Sequence, residues 1–96
     1  MTSKLEEPLT PTAAKRLLLT ILEEGKVEIS PHAWMEMEAD KITVQDVYQV
    51  LRGGVVEPAE LRSNSWRYRV RQGRRHVVVT FRSELWTVVV TVWRAR

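Results

Sequence analysis

The sequence predicts an α+β fold, in which N-terminal helices pack on one face of a C-terminal antiparallel sheet of three to four strands. The length of 96 residues suits a single domain over residues 1–96. Apolar residues recur at three- and four-residue spacing before residue 54, as in amphipathic helices, and at two-residue spacing after residue 65, as in strands. Because the helical patterns come first, the two kinds of element are expected to form separate layers.

The first element is a helix over residues 11–25, preceded by a polar segment, residues 1–10, that is expected to fray. Thr10 and Pro11 provide an N-cap followed by proline at the first helical position. Gly25 is expected to end this helix in the left-handed conformation. Residues 26–29 then alternate between polar and apolar side chains, which predicts a brief strand.

Two further helices are predicted in the middle of the chain. Ser30 and Pro31 repeat the capping signal, and the second helix is expected to bury Ala33, Trp34 and Met37. Thr43 and Asp46 resemble a capping box with Asp in place of the usual Glu. The buried side of the third helix is expected to consist of Val44, Val47, Tyr48 and Leu51.

The C-terminal third predicts an antiparallel meander. Strands are expected over residues 66–71, 76–82 and 85–93, joined by tight turns. Residues 55–57 form either a short strand or an irregular edge limited by Pro58. In the first long strand, alternation directs Trp66, Tyr68 and Val70 toward the core. The opposite face carries Arg67, Arg69 and Arg71.

The basic residues are concentrated in this sheet. Residues 61–96 contain nine arginines, no lysine and one acid. Arginine binds phosphate through two nitrogens and stacks on bases, which lysine does not. The arginines at alternate positions lie about 6–7 Å apart along a strand, close to the step between successive phosphates. The sequence therefore favours an RNA-binding face over the alternative, a solubilising outer face. The predicted RNA-binding residues are Arg69, Arg71, Arg82 and Trp93.

Other polar residues carry weaker signals. His32 lies in the first turn of its helix, where free backbone N–H groups bind anions, and the alternative is a histidine bonded to a nearby carbonyl. His76 is interpreted as a solvated turn residue, and Glu36, Glu38 and Asp40 as a solvated helix face. Trp34 and Trp66 are interpreted as core anchors. Trp86 and Trp93 have opposite parity on one strand, so one of them is expected to point away from the core.

Several classes of protein are disfavoured. The chain has no cysteine and two histidines, so we expect no disulfide, no metal and no cofactor. It shows no export signal and no apolar stretch long enough to span a membrane, which indicates a cytoplasmic protein. Phosphate-binding loops, dinucleotide fingerprints and nucleophile elbows are absent from the sequence.

Several short motifs resemble those of domain-of-unknown-function family 4258. They are Ile29-Ser30-Pro31-His32-Ala33, Glu36-Met37, Asp40, Ile42-Thr43, Asp46-Val47, Gly54, Trp66-Arg67-Tyr68-Arg69-Val70 and Val90-Thr91-Val92-Trp93-Arg94. The resemblance covers residues 27–94, the family-like core, and leaves the first helix as an addition. That family is similar in fold to RelE/ParE-like toxins, many of which are metal-independent ribonucleases paired with an antitoxin, often of the YgiT zinc-finger type.

The resemblance implies functional residues. His32, Arg67, Tyr68 and Arg94 match the family's recurrent polar positions and are the candidate catalytic residues. Many members have arginine where this chain has Glu36 and Asp40, so phosphate binding at those two positions is excluded here.

These observations lead to two main hypotheses about function and a third, weaker one. The first is the toxin of a type II toxin–antitoxin system, an mRNA endoribonuclease that uses the RNA 2′-hydroxyl as nucleophile. The alternative is a non-catalytic RNA-binding or regulatory module that uses the basic sheet face. The third is an interaction protein that forms a homodimer through the helix at residues 11–24.

Overall fold

The computed structural model describes residues 5–96. In this range the chain forms three helices and six strands. They are α1 (Pro11–Glu24), β1 (Lys26–Ile29), α2 (Pro31–Asp40), α3 (Val44–Gly53), β2 (Val55–Val56), β3 (Glu60–Arg62), β4 (Ser65–Gln72), β5 (Arg75–Ser83) and β6 (Trp86–Arg94).

The strands form one mixed sheet in the order β1-β6-β5-β4-β2, and β3 pairs with β4 beside β2. The predicted α+β class is confirmed, but the predicted sheet of three to four antiparallel strands is wrong. β1 joins the sheet parallel to β6, with Lys26 opposite Trp86 and Ile29 opposite Val89. The short strand offered for residues 55–57 is present as β2, whereas β3 contains three residues and is too short for alternation to reveal it.

The core lies between the helices and one face of the sheet. Helix residues such as Leu18, Ile21 and Leu51 pack with Val77 and Val79 of β5, and all five are fully buried. Burying one side chain of this size stabilises the fold by roughly 1.5–3 kcal/mol. The helices therefore cover one face of the sheet and leave the other face open.

The predicted N-caps are confirmed. The hydroxyls of Thr10 and Ser30 accept hydrogen bonds from the backbone N–H groups of Ala13 and Ala33. Thr43 and Asp46 form the reciprocal capping box. The backbone N–H of Thr43 donates to the Asp46 carboxylate, and this bond lowers the pKa of Asp46.

The predicted left-handed cap at Gly25 is wrong. Gly25 has extended backbone angles, φ −114° and ψ −155°, and leads directly into β1. Its lack of a side chain is still required, because a Cβ here would overlap the backbone carbonyl of Leu85. Close approach of two chain segments, rather than a positive φ, accounts for the glycine.

The edge of β6 is completed by side chains of α2. β1 pairs only with residues 86–89 of β6. Beyond them, the Glu36 carboxylate accepts a hydrogen bond from the Val92 N–H at 3.0 Å, and the Asp40 carboxylate accepts one from the Arg94 N–H at 3.1 Å. The prediction of a solvated helix face is therefore wrong for Glu36 and Asp40, which satisfy strand amides that no neighbouring strand reaches.

Two expectations about packing are also wrong. Trp34 is 46% exposed and is not a core anchor, because α2 turns only Ala33 and Met37 into the core. Val44, expected on the buried side of α3, is 37% exposed.

Residues 1–10 were expected to fray, and two residues of this segment, Leu5 and Leu9, pack against the core. The part of that prediction that concerns residues 1–4 lies outside the described residues.

No helix within residues 5–96 has the length and apolar character needed to cross a bilayer.

Candidate nucleic-acid interface

The open face of the sheet carries the predicted arginine row. Strand register aligns Arg71 of β4 with His76 of β5, and His76 with Trp93 of β6. The next row along the strands joins Arg69, Val78 and Thr91. Side chains in these two rows share a face because residues two apart on a strand point the same way.

A cleft of about 230 Å³ opens on this face. Its lining combines arginines, a carboxylate and an aromatic ring, which is a chemistry suited to a phosphate with an attached flat ring. We call it the arginine–tryptophan cleft. The lining residues are Glu60, Arg62, Arg67, Arg69, Val78, Thr91 and Trp93.

Arg67 is the least satisfied group in this cleft. Its side chain is half-buried, and its Nε is shielded from solvent without a hydrogen-bond partner among residues 5–96. A buried donor without an acceptor costs about 1–3 kcal/mol. A ligand oxygen recovers this free energy only if the atoms that shield Nε move to admit it.

Arg69 and Arg71 are not free, which corrects the prediction of an available row. Glu57 lies 3.7 Å from Arg69 and 3.1 Å from Arg71, and Glu60 lies 3.5 Å from Arg69. The cause is the segment that follows β2, whose Glu57 N–H donates to the Arg69 carbonyl and which continues as β3 along β4. This segment brings two carboxylates over the arginines.

The aromatic part of the interface contains His76, and its interpretation as a solvated turn residue is wrong, because it is a partly buried residue of β5. His76 stacks on Trp93 with ring centroids 4.7 Å apart and an angle of 4° between the planes. Burial lowers the pKa of His76, and the charge of Arg69 lowers it further. The signal was its parity, since His76 precedes the buried Val77 and therefore faces away from the core.

Trp86 and Trp93 both face away from the core. A register shift in β6, where Val79 pairs with Val89 but Val78 pairs with Thr91, changes the alternation between them. The Trp86 Nε1–H donates to Glu28 at 3.2 Å, and the Lys26 ammonium lies 4.9 Å from the Trp86 ring. Strict alternation predicts that Trp86 and Trp93 point to opposite faces, and the bulge between them explains why they share one face.

Tyr68 lies on the opposite face from the cleft. Its side chain is fully buried, and its hydroxyl donates to Glu7 and accepts from the Leu9 N–H, both at 2.9 Å. Burial raises the pKa of Tyr68 to about 12. The buried position and the raised pKa of Tyr68 therefore both oppose a catalytic role. Its two hydrogen bonds hold the N-terminal segment against the sheet.

The remaining predicted residues also lie outside the cleft. Arg94 follows Trp93 on β6 and points toward the helix side, where its charge helps to lower the pKa of Asp46. Arg82 is exposed on β5, four residues beyond Val78, and forms no ion pair with any residue between 5 and 96.

His32 reaches the cleft indirectly. Its Nε2 lies 3.4 Å from one carboxylate oxygen of Glu36, and the other oxygen accepts a hydrogen bond from the Thr91 hydroxyl. Thr91 lines the cleft. The predicted residues that the fold brings together are thus Arg67, Arg69 and Trp93, with His32 connected to them through two side chains.

In the part of the chain that the structure describes, no group of three or more His, Asp or Glu residues is arranged to hold a metal ion. The interface offers cations and aromatic rings instead.

These features define a small α+β domain with an open, arginine-bearing sheet face. The sequence profile of the family described as "Domain of unknown function (DUF4258)" matches residues 29–94, so the chain belongs to this family. No curated protein and no solved structure matches the chain.

Proposed function

We propose that this protein is the toxin of a toxin–antitoxin pair and that it acts on single-stranded RNA bound at the arginine–tryptophan cleft. The observation that carries the proposal is Arg67, a half-buried guanidinium whose Nε has no acceptor among the described residues, beside Trp93 in one cleft. A phosphate oxygen supplies the missing acceptor once the side chains that cover Nε move aside, and a base supplies a flat partner for the ring.

The ion pairs of Arg69 and Arg71 do not prevent binding. Exposed pairs of this kind contribute roughly 0–1 kcal/mol each, so phosphates replace Glu57 and Glu60 at small cost. Arg69 also lies 5.5 Å from the Trp93 ring, where it adds a second flat cation to the stacking surface. Arg67 and Trp93 then contribute most to the affinity for RNA, and the paired arginines contribute less.

Cleavage follows the metal-independent route. The RNA 2′-oxygen attacks the adjacent phosphorus and the bond to the 5′-oxygen breaks. The departing 5′-oxygen takes a proton from water, which leaves a 2′,3′-cyclic phosphate and a 5′-hydroxyl. Arg67 stabilises the charge on the phosphorane, and His32, oriented by Glu36 beside the cleft, accepts the proton of a 2′-hydroxyl on a nucleotide that extends past Thr91. The RelE-like resemblance motivates this chemistry, the cytoplasmic location and an antitoxin partner of the zinc-finger type.

A non-catalytic RNA-binding module is the second candidate. It is favoured by the separation of the four candidate catalytic residues, since Tyr68 lies in the core and Arg94 lies outside the cleft. Binding at the arginine–tryptophan cleft needs neither of them.

Induced expression in a bacterial host separates the two candidates. The toxin proposal expects growth arrest by the wild type, relief by Arg67→Ala and by His32→Ala, and no relief by Arg16→Ala, which removes an exposed cation on the helix side. Normal growth, together with salt-sensitive RNA binding by the purified protein, supports the binding module instead. Arrest that persists in Arg67→Ala contradicts the role given to the cleft.

A further inference from the structure

A second basic concavity lies at the end of the sheet, apart from the arginine–tryptophan cleft. It measures about 440 Å³, and we call its four cations the basic end: Lys41, Arg74, Arg94 and Arg96. The Ala95 N–H donates to the Arg74 carbonyl at 2.7 Å, which holds the β4–β5 turn against the end of β6. Two segments distant in sequence thus direct their charges into one space.

The cations of the basic end resemble Arg67 and Arg82, and differ from the four other arginines of the sheet, in having no carboxylate partner among the described residues. Within residues 5–96 none of the four basic-end cations forms an ion pair with a carboxylate. The paired arginines are Arg62, Arg69, Arg71 and Arg75. The acid that lines this concavity, Asp40, already accepts the Arg94 N–H. Four like charges against one carboxylate repel each other, and an entering anion relieves that repulsion.

The two basic sites meet at the end of β6. Trp93 lines the arginine–tryptophan cleft and the next residue, Arg94, lines the basic end. Consecutive strand residues point to opposite faces, so a strand of nucleic acid that leaves the cleft at Trp93 and passes around the sheet end arrives at these cations.

We infer that the basic end binds phosphates of the same RNA strand, on nucleotides that flank those held in the cleft. The inference rests on the proposed RNA binding and adds a second contact region to it. Arginine forks match phosphate oxygens, and unpaired cations bind them without first breaking an internal ion pair.

The test compares labelled oligouridines of four and twelve nucleotides by fluorescence anisotropy. The double variant Arg74→Gln/Arg96→Gln is expected to weaken binding of the twelve-nucleotide RNA about tenfold and to change the four-nucleotide RNA less than about twofold. Its salt dependence, the slope of log affinity against log salt, is expected to fall by about 1.4, since each phosphate contact contributes about 0.7 for single strands. Thermal unfolding of both forms checks that the variant is folded.

The control variant is Arg16→Gln/Arg52→Gln, which removes the same charge from exposed positions on the helices. Equal weakening by the control, or a twelve-nucleotide affinity that Arg74→Gln/Arg96→Gln leaves unchanged, overturns the inference. If that unchanged binding is lost in Arg67→Ala, the inference alone fails and the cleft stands. If the wild type binds neither RNA, the proposed function fails as well.

Discussion

If RNA binds at the arginine–tryptophan cleft as proposed, Glu57 competes with it for two arginines, and removal of this carboxylate is expected to increase affinity. The carboxylate lies within ion-pair distance of both Arg69 and Arg71, at 3.7 Å and 3.1 Å. Glu57→Gln removes the charge and keeps the size of the side chain. Arg71 then meets the phosphates without first giving up an internal partner, and Arg69 gives up only its pair with Glu60.

The size of the gain follows from the two ion pairs. An exposed pair contributes roughly 0.2–1 kcal/mol, so the loss of two pairs lowers the cost of binding by about 1 kcal/mol. Since 1.4 kcal/mol corresponds to a tenfold change in affinity, the expected gain is about fivefold. The salt dependence is expected to become steeper, because more phosphates are neutralised.

Anisotropy titration of a labelled single-stranded RNA at constant salt measures this effect. The matched control is Glu24→Gln, which makes the same change in net charge at an exposed position at the end of α1. An unchanged or weaker affinity for Glu57→Gln refutes the reasoning. An equal gain in the control also refutes it, since it would attribute the effect to net charge rather than to Arg69 and Arg71.

Three further predictions concern the scaffold. The folded pKa of Tyr68 is about 12, above its ordinary value of 10.0. The stability that its burial contributes is therefore complete below pH 10 and is lost, by about 2 kcal/mol, as pH rises toward 12. In urea titrations at alkaline pH, Tyr68→Phe is expected to abolish this loss and the control Tyr48→Phe to retain it. The Lys15 ammonium binds three backbone carbonyls at the C-terminal end of α3, at 2.7–3.1 Å. Lys15→Met removes this ammonium and is expected to lower the free energy of unfolding by about 1.5–3 kcal/mol. A loss below about 0.5 kcal/mol contradicts this prediction. Glu36→Met leaves an amide of β6 without an acceptor and costs about 1–3 kcal/mol, whereas Glu38→Met, on an exposed position of the same helix, is expected to cost little.

Local signals predicted much of the fold. The caps at Thr10, Ser30 and Thr43 were read correctly because capping depends on residues three positions apart. The alternation from Trp66 to Arg71 predicted which face each side chain takes, because one side of this strand is buried.

Long-range pairing was beyond such signals. The parallel contact of β1 with β6 joins residues about sixty positions apart, and a four-residue strand does not specify its partner. The helical pattern places Glu36 and Asp40 at exposed positions, but in the structure they bind amides of β6. These contacts also depend on long-range pairing, which local sequence does not reveal. The bulge in β6 altered the parity between Trp86 and Trp93 for a related reason, since it depends on pairing with β5.

For the candidate site, sequence identified the cations and missed their partners. Arg67, Arg69 and Trp93 were assigned to the binding face and line one cleft. Glu57 and Glu60 were not connected with them, because the segment after β2 has no periodic pattern to indicate that it lies along β4.

The most direct test of the account is the mapping of a short single-stranded RNA onto the ¹⁵N-labelled protein by chemical-shift perturbation. We expect the largest shifts at the side-chain Nε–H of Arg67, the indole N–H of Trp93 and the amides of Val78 and Thr91, which surround one cavity on the open sheet. Perturbations confined to α1 and its neighbours, or an Arg67 Nε–H signal that does not move at saturating RNA, would contradict the assignment of the cleft as the place where RNA binds.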